Sequence, residues 1–326
     1  MDQTNGTNGI KVATTETQAE TGALHKVIII GSGPAGLTAA LYAARAELRP
    51  LVIAGITPGG QLMMTTEVEN FPGFIQGIMG PDLMNNMIKQ VERFGAKILY
   101  EIVSAVNFAA RPLVVKTESG EYSAQSVILA MGAEANWLGL PGEQRLRGKG
   151  VSACATCDGF FFKGKEVAVI GGGDSAMEEA NFLTKYANKV TIIHRRGEFK
   201  ASKIMLERAQ ANPKIAFVLN SEVADVLGEN KVEGLRLKNT ASGDVSEMKI
   251  DGLFLAIGHH PNTGLLKGQV ELDERGYVKV LNNTRTSAEG VFVAGDIGDP
   301  RYRQAVTAAG MGCMAALDVE KFLTEK

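Results

Sequence analysis

An α/β protein of two parallel-sheet domains, one inserted into the other, is predicted by three features of this sequence. The chain has 326 residues, about twice a common domain of roughly 150. A short β-branched run, a glycine-rich turn and a helix-forming stretch occur twice, near residue 30 and near residue 170. Segments bearing glycine and proline bracket the second occurrence. With 45% hydrophobic and 21% charged residues, the chain can build two cores without disulfide staples. A net charge of −2, from 34 basic and 36 acidic residues, gives no reason to expect nucleic acid or an anionic membrane as partner. Glycine stands out, at 38 of 326 residues against a usual share of about 7%. Such glycines gather where a backbone turns sharply or approaches something closely.

Taken in order, residues 1–24 are polar and carry Asp2, Glu16 and Glu20 against Lys11. They read as a disordered tail without a secretory core, and the acids argue against a transit peptide. Residues 27–44 are long and apolar enough to suggest a membrane span. Gly31, Gly33, Pro34 and Gly36 divide the stretch, so a strand, a turn and a helix are expected, with no membrane and a cytoplasmic location. Residues 26–30 are the strand, Gly31-Ser32-Gly33-Pro34-Ala35-Gly36 the turn, and the helix runs to about Ala46. Residues 50–54 form the next strand. In such a turn the first glycine makes the bend, the second lets the backbone touch a pyrophosphate, and the third lets helix pack on strand. The phosphates then rest on the positive end of the helix. The pattern returns with a strand at 166–170, the turn Gly171-Gly172-Gly173-Asp174-Ser175-Ala176, a helix at 176–186 and a strand at 189–193. Gly31 to Ala54 and Gly171 to His194 are the same 23 residues apart. Two copies in one register point to two Rossmann-like dinucleotide-binding domains. Connectors at 132–150 and 258–266 bracket the second copy. The expected division is a discontinuous first domain, 25–138 and 266–326, with the second, 139–265, inserted into it.

The ends of the two units differ chemically. An NAD site wants a carboxylate for the ribose 2′-hydroxyl. The second unit instead offers His194, Arg195 and Arg196, with Lys200 close behind. Paired guanidiniums bind a 2′-phosphate that a carboxylate would repel, so NADPH is expected there. A solvated basic face is the plainer alternative. The first unit has Ala54 at the corresponding position, so its ligand must be argued otherwise. Strand 126–130 leads into Met131-Gly132-Ala133, and 289–296 is an apolar run that delivers Asp296 to a strand end, where a sugar or ribityl hydroxyl would lie. A structural turn aspartate is the competing reading.

Cys154 and Cys157 form a Cys-x-x-Cys pair 14 residues before Gly171. Zinc would need four ligands, and no second close-spaced pair completes such a site, so no metal is expected. Beside an NADPH site the pair reads as a redox dithiol/disulfide. Cys313, inside the apolar run 308–317, reads as buried and inert. A disulfide needs an intermediary to receive a hydride, and flavin supplies one. FAD is therefore expected in the first site. Asp158, adjacent to Cys157, is a candidate acid/base, with a surface helix cap as the alternative.

From residue 25 onward the sequence resembles the low-molecular-weight NADPH-dependent thioredoxin reductases. The motifs that carry the resemblance are 31–36, 59–62, 67–73, Cys154-Ala155-Thr156-Cys157-Asp158-Gly159, 171–180, 194–196, 258–263, Gly295-Asp296 and Tyr302-Arg303-Gln304-Ala305. The resemblance implies an enzyme passing electrons from NADPH through FAD and the cysteine pair to the disulfide of thioredoxin. It implies that Cys157 faces the flavin and attacks the substrate disulfide, that Cys154 resolves the product, and that Asp158 handles protons. FAD would be lined by the turn Gly31, Ser32, Gly33, Pro34, Ala35, Gly36 and by Gly60, Gln61, Leu62, Asn70, Gly132, Asp296, Arg303, Gln304 and Ala305. NADPH would be held by Gly171, Gly173, Asp174, Ser175, His194, Arg195, Arg196 and Lys200. The family is homodimeric, and its inserted domain rotates about the connectors. Three departures stand out: Lys200 replaces an arginine, Met131 a threonine, and the tail has no counterpart. A different disulfide partner, a dithiol oxidase and a flavin-loaded redox sensor remain alternative readings of the same residues.

Overall fold

The computed structural model describes residues 22–325, so the polar tail lies, apart from its last three residues, outside the described part. Leu24 already opens the first strand, Leu24–Ile30. This strand pairs in parallel with Leu51–Ile53 on one side and Glu121–Leu129 on the other. Lys97–Leu99 extends the sheet beyond Leu51–Ile53. The antiparallel strands Leu113–Thr117 and Val103–Asn107 extend it at the opposite edge. Val291–Val293 returns from far along the chain to pair in parallel with the second half of Glu121–Leu129. The sheet thus takes strands from both ends of the described chain. Val27, Ile28 and Ile29 are fully buried, as a parallel strand covered on both faces must be.

Among the described residues seven α-helices occur: α1 (Pro34–Arg45), α2 (Gly80–Arg93), α3 (Pro141–Leu146), α4 (Ala155–Asp158), α5 (Asp174–Leu183), α6 (Lys203–Gln210) and α7 (Ala305–Thr324). None is long and apolar enough to cross a membrane. The apolar stretch 27–44 divides between the first strand and α1. A second, all-parallel sheet has the order Val151–Ser152, Gly252–Leu255, Glu166–Ile170, Lys189–Ile193, Ile215–Val218. An antiparallel meander, Ser221–Leu227, Gly234–Asn239 and Val245–Lys249, accompanies it. The α/β class with parallel sheets is therefore the one the sequence predicts.

Local boundaries depart from expectation by a few residues. Helix α5 begins at Asp174, because Gly173 is its N-cap, and ends at Leu183. Residues 184–186 continue as tight turns, with the Lys185 and Tyr186 amides bonding Phe182 and Leu183 carbonyls. The two connectors are zipped together: Ala133–Ala135 pairs antiparallel with His259–Pro261. The Asn136 amide donates to Gly258 O, and the Asn262 amide to Gly132 O. Chain entering and leaving at one point runs antiparallel, so each segment can satisfy the other's backbone groups.

Helix α7 lies along α1 with their backbones unusually close. A Cβ on Gly312 would stand 2.1 Å from Ala35 O, and one on Gly36 would stand 2.0 Å from Gly31 O. The buried residues of the two helices are mostly small, among them Ala35, Ala39, Ala40 and Ala43 on α1, and Ala308, Gly312, Ala315 and Ala316 on α7. Cys313, expected to be buried, is only half-buried, because it falls beside this stripe rather than in it. Gly312→Ala must push α7 off α1, and we expect it to lower stability by about 1–3 kcal/mol. Urea titration of the variant against Gly310→Ala, where nothing lies within 4 Å of a new Cβ, checks this.

Candidate active site

Gly31 sits at φ +109° with the Ala130 carbonyl where a side chain would go, so the turn must be glycine there. Ser32 is buried and staples two loops: its Oγ donates to Ala54 O at 3.0 Å and accepts the Gly59 amide at 3.1 Å. Gly33 is the N-cap of α1, with no side chain capping it, Pro34 at the first position and no acid in the first turn. Open space lies where its Cβ would be, while Gly60, at φ +65°, approaches Gly33 Cα from the opposite loop. An uncapped helix start with a bare backbone beside it fits a pyrophosphate. Leu62 packs into the core between sheet and α1. The Gln61 amide reaches across to Ala133 O, and Gly132 adopts φ +69°.

Asp296 follows Val291–Val293 through Gly295. Burial, reinforced by Asp299 and opposed by Arg303, raises its carboxyl to about 6. A desolvated carboxyl at a strand end fits a ligand hydroxyl better than a free surface turn does. Arg303 holds a left-handed backbone, φ +50°, and its guanidinium bonds His259 on the returning connector. Burial, then Arg303 and His260, hold His259 down at about 4, so its ring is neutral at pH 7. Gln304 is the N-cap of α7, with its backbone tied to the Thr307 hydroxyl, and Ala305 is the first helical residue.

The second turn is built on the same plan with different fittings. At Gly171 a Cβ would meet Ala256 O, and at Gly172 it would meet the His194 ring. Gly173 caps α5 by backbone alone. Asp174 Oδ1 accepts the Ser202 amide at 2.6 Å, fastening the following loop to the helix start, and Ser175 stays exposed. His194 is buried, stacked on Phe199 with centroids 5.3 Å apart, and bonded to Glu198 O at 3.0 Å. It acts as a strut under the loop rather than as a surface group. Arg195, Arg196 and Lys200 are exposed, and among the described residues no hydrogen bond or ion pair engages their side chains. Arg196 and Lys200 line one hollow together with Gly197, Glu198 and Phe199, and two free cations there suit a phosphate.

Cys154 and Cys157 are joined as a disulfide. Cys154 is the N-cap of α4 and its Sγ accepts the Cys157 amide at 3.2 Å. Cys157 Sγ lies 3.9 Å from Gln304 Oε1, so the pair rests against the start of α7. Asn70 Nδ2 donates to the same Oε1 at 3.3 Å. Asp158 is half-buried, and burial raises its carboxyl while a Ser152 hydrogen bond lowers it. Asp158 stands at the N-cap of the 3-10 turn Gly159–Phe162, but its side chain makes no capping hydrogen bond there. The structure brings Cys154, Cys157, Asn70 and Gln304 to one seam, with Arg303 beside it. Arg195, Arg196 and Lys200 form a second locus.

Glu179 was not singled out from the sequence. Its Oε2 is buried with no partner, its carboxyl faces the Ala155 amide of α4, and burial raises it to about 7 despite the Arg303 charge. The available signal was its place in the apolar stripe Ala176, Ala180 and Leu183 of α5. Thr156 also went without a role, though its Oγ1 lies 3.3 Å from Cys154 Sγ.

Residues 25–312 match the family described as pyridine nucleotide-disulphide oxidoreductase. The chain is 57% identical over 304 residues to the thioredoxin reductase of Mycolicibacterium smegmatis, covering 93% of this chain and 98% of that one. Among solved structures it resembles thioredoxin reductase from Giardia duodenalis, with a TM-score of 0.88 and 43% identity over 92% of this chain and 99% of that one. The enzyme from Streptococcus pyogenes gives a TM-score of 0.89 and 40% identity, covering 93% and 99%.

Glu179 has a consequence for stability. Its carboxyl ordinarily releases a proton near 4.5 and in the fold does so near 7. Between those values the folded state binds the extra proton, so this group's contribution falls as pH rises from about 4.5 to about 7. Glu179→Gln removes the charge and keeps the Ala155 acceptor. We expect a melting temperature a few degrees above wild type at pH 8 and no gain at pH 4.5, read by calorimetry at both.

Proposed function

The chain belongs to the pyridine nucleotide-disulphide oxidoreductase family, and from that premise we propose that it passes electrons from NADPH through FAD and the Cys154–Cys157 disulfide to the disulfide of thioredoxin. The observation that carries the reading is the disulfide itself, formed at the start of α4 and seated against Gln304 at the start of α7. FAD, when bound, supplies the two-electron acceptor for the hydride of NADPH and the donor to the disulfide.

The turn from Gly31 to Gly36, closed over by Gly60, would receive the FAD pyrophosphate on the N-terminus of α1. Gly132 has open space for a close approach, Asp296 would take a ribityl hydroxyl, and Gln61, Asn70, Arg303, Gln304 and Ala305 would border the ring system. Gly173 and Ser175 would meet the NADPH pyrophosphate, and Arg195, Arg196 and Lys200 its 2′-phosphate. The Cys157 thiolate would attack one sulfur of the thioredoxin disulfide, forming a mixed disulfide and releasing the other sulfur as thiolate. Cys154 would then attack Cys157 Sγ, re-forming the Cys154–Cys157 bond and freeing reduced thioredoxin. Asp158 would trade protons with the sulfurs from a site where burial keeps its carboxyl basic enough to do so.

A homodimer is part of the same proposal. Val306, Met314 and Leu317 form an exposed stripe on α7, with Tyr42 exposed on α1, apolar surface that a second copy would cover. A cytoplasmic location supplies the reducing setting in which such a dithiol cycles.

Anaerobic NADPH is expected to bleach the flavin of both wild type and Cys157→Ser, while only wild type reduces added thioredoxin. An NADPH that bleaches neither would overturn the reading. Arg195→Ala with Arg196→Ala should raise the KM for NADPH at least about tenfold and leave that for NADH nearly unchanged, since each lost charged hydrogen bond is worth about 1.5–3 kcal/mol. Steady-state kinetics with both nucleotides checks this.

A further inference from the structure

Where the guanidiniums of Arg195 and Arg196 stand is set by their backbone, since among the described residues no hydrogen bond or ion pair engages either side chain. That backbone is gripped at three carbonyls in a row. Ser221 N donates to His194 O at 3.0 Å, the Thr240 hydroxyl to Arg195 O at 3.0 Å, and Asn220 N to Arg196 O at 3.2 Å. All three donors belong to the antiparallel meander. Asn220 and Ser221 lie at the start of its first strand, and Thr240 in the turn between its second and third. The two places meet because Ser221 pairs with Asn239 across the ladder and the Thr240 amide donates to Asn220 O at 2.7 Å. Asn220 holds a left-handed backbone, φ +50°, and its side chain lies over Gly197, where a Cβ would stand 3.3 Å from Asn220 Oδ1. At the far end of the loop the Lys200 and Ala201 amides donate to Gly172 O at 2.7 and 3.0 Å.

Of these grips only the one from Thr240 is made by a side chain. A threonine in a turn commonly spends its hydroxyl on the turn itself. This turn is organised without it. Asn239 Oδ1 accepts the Ala241 and Ser242 amides at 2.9 Å each, Asn239 N donates to Asp244 O at 2.8 Å, and the Ser242 hydroxyl donates to Asp244 Oδ2 at 2.6 Å. The Thr240 hydroxyl instead reaches a carbonyl 45 residues back along the chain. We propose that Thr240 is a positioning residue for recognition of the nucleotide 2′-phosphate, holding the Arg195 carbonyl so that the Arg195 and Arg196 guanidiniums converge on one phosphate. The inference rests on the reading of this locus as the NADPH site. Successive side chains of an extended segment point to opposite sides. Two neighbouring arginines can therefore share a phosphate only where the backbone is bent and held, and here the chain bends through residues 195–198. Without the hydroxyl, Arg195 O is left to water, which bonds it but does not fix its direction. The meander thereby takes part in choosing the nucleotide.

The test separates the 2′-phosphate from the rest of the nucleotide. Calorimetric titration of the flavin-bound protein compares adenosine 2′,5′-bisphosphate with adenosine 5′-monophosphate, which differ in that phosphate alone. Wild type should bind the bisphosphate at least about tenfold more tightly. Thr240→Val, close to threonine in shape, should weaken the bisphosphate roughly threefold to tenfold, the worth of one hydrogen bond, and leave the monophosphate within about twofold. Thr240→Ser keeps the hydroxyl and should restore the wild-type value. The KM for NADPH should follow the bisphosphate, and flavin absorbance and melting report that each variant is folded. An unmoved bisphosphate affinity in folded Thr240→Val overturns the proposal. Equal weakening of both ligands does so too, since it would make Thr240 a general prop of the domain. Thr240→Ala also lacks the hydroxyl and gives the same decision should Thr240→Val not fold. A wild type without preference for the bisphosphate removes the NADPH reading itself. A wild type that prefers it, beside a Thr240→Val that does so equally, removes this proposal alone.

Discussion

Everything at the site depends on how closely the backbones approach one another beneath it. Helix α1 can start where it does because Gly31 and Gly36 carry no side chains between turn and helix. Helix α7 can lie against α1 because Gly312 leaves room for the Ala35 carbonyl, and a Cβ on Gly295 would stand 2.8 Å from Ala35 Cβ. Those contacts bring the starts of α1 and α7 to the same edge of the sheet. Gln304 stands at the start of α7 and meets the disulfide at the start of α4. Displacing either helix by the width of a methyl group would take Gln304 off the sulfurs.

The disulfide and its partners Asn70 and Thr156 are open to solvent, while several titratable groups behind them are buried. Desolvation is the largest influence on Asp158, Glu179, Asp296 and His259, and each is pushed toward its neutral form. Arg303 remains the cation among them, held by a left-handed backbone and by its bond to neutral His259.

The two dinucleotide units share a plan and diverge in how their loops are fastened. Ser32 ties the first turn to the loops at Ala54 and Gly59, whereas Asp174 and buried His194 tie the second turn to the loop bearing the basic residues. Several residues that the motifs suggest as ligand contacts thus work partly as fasteners. The motif specifies a backbone conformation, and side chains near it are used to hold that conformation.

The sequence by itself determined the local chemistry: two glycine turns at equal spacing, a Cys-x-x-Cys pair, a basic cluster in place of an acid, and parallel strands made of unbroken β-branched runs. Each of these is a short-range pattern dictated by backbone sterics or by the charge of a ligand, so neighbouring residues suffice to express it. Only the tertiary structure decided that the connectors zip into a ribbon, that Cys313 is half-exposed, that Glu179 is buried without a partner for Oε2, and that Thr156 lies between Cys154 and Gln304. Gln304 is 150 residues from Cys154 and 234 from Asn70. Contacts at such separations follow from how helices pack through their glycines, and no periodicity in the chain records them.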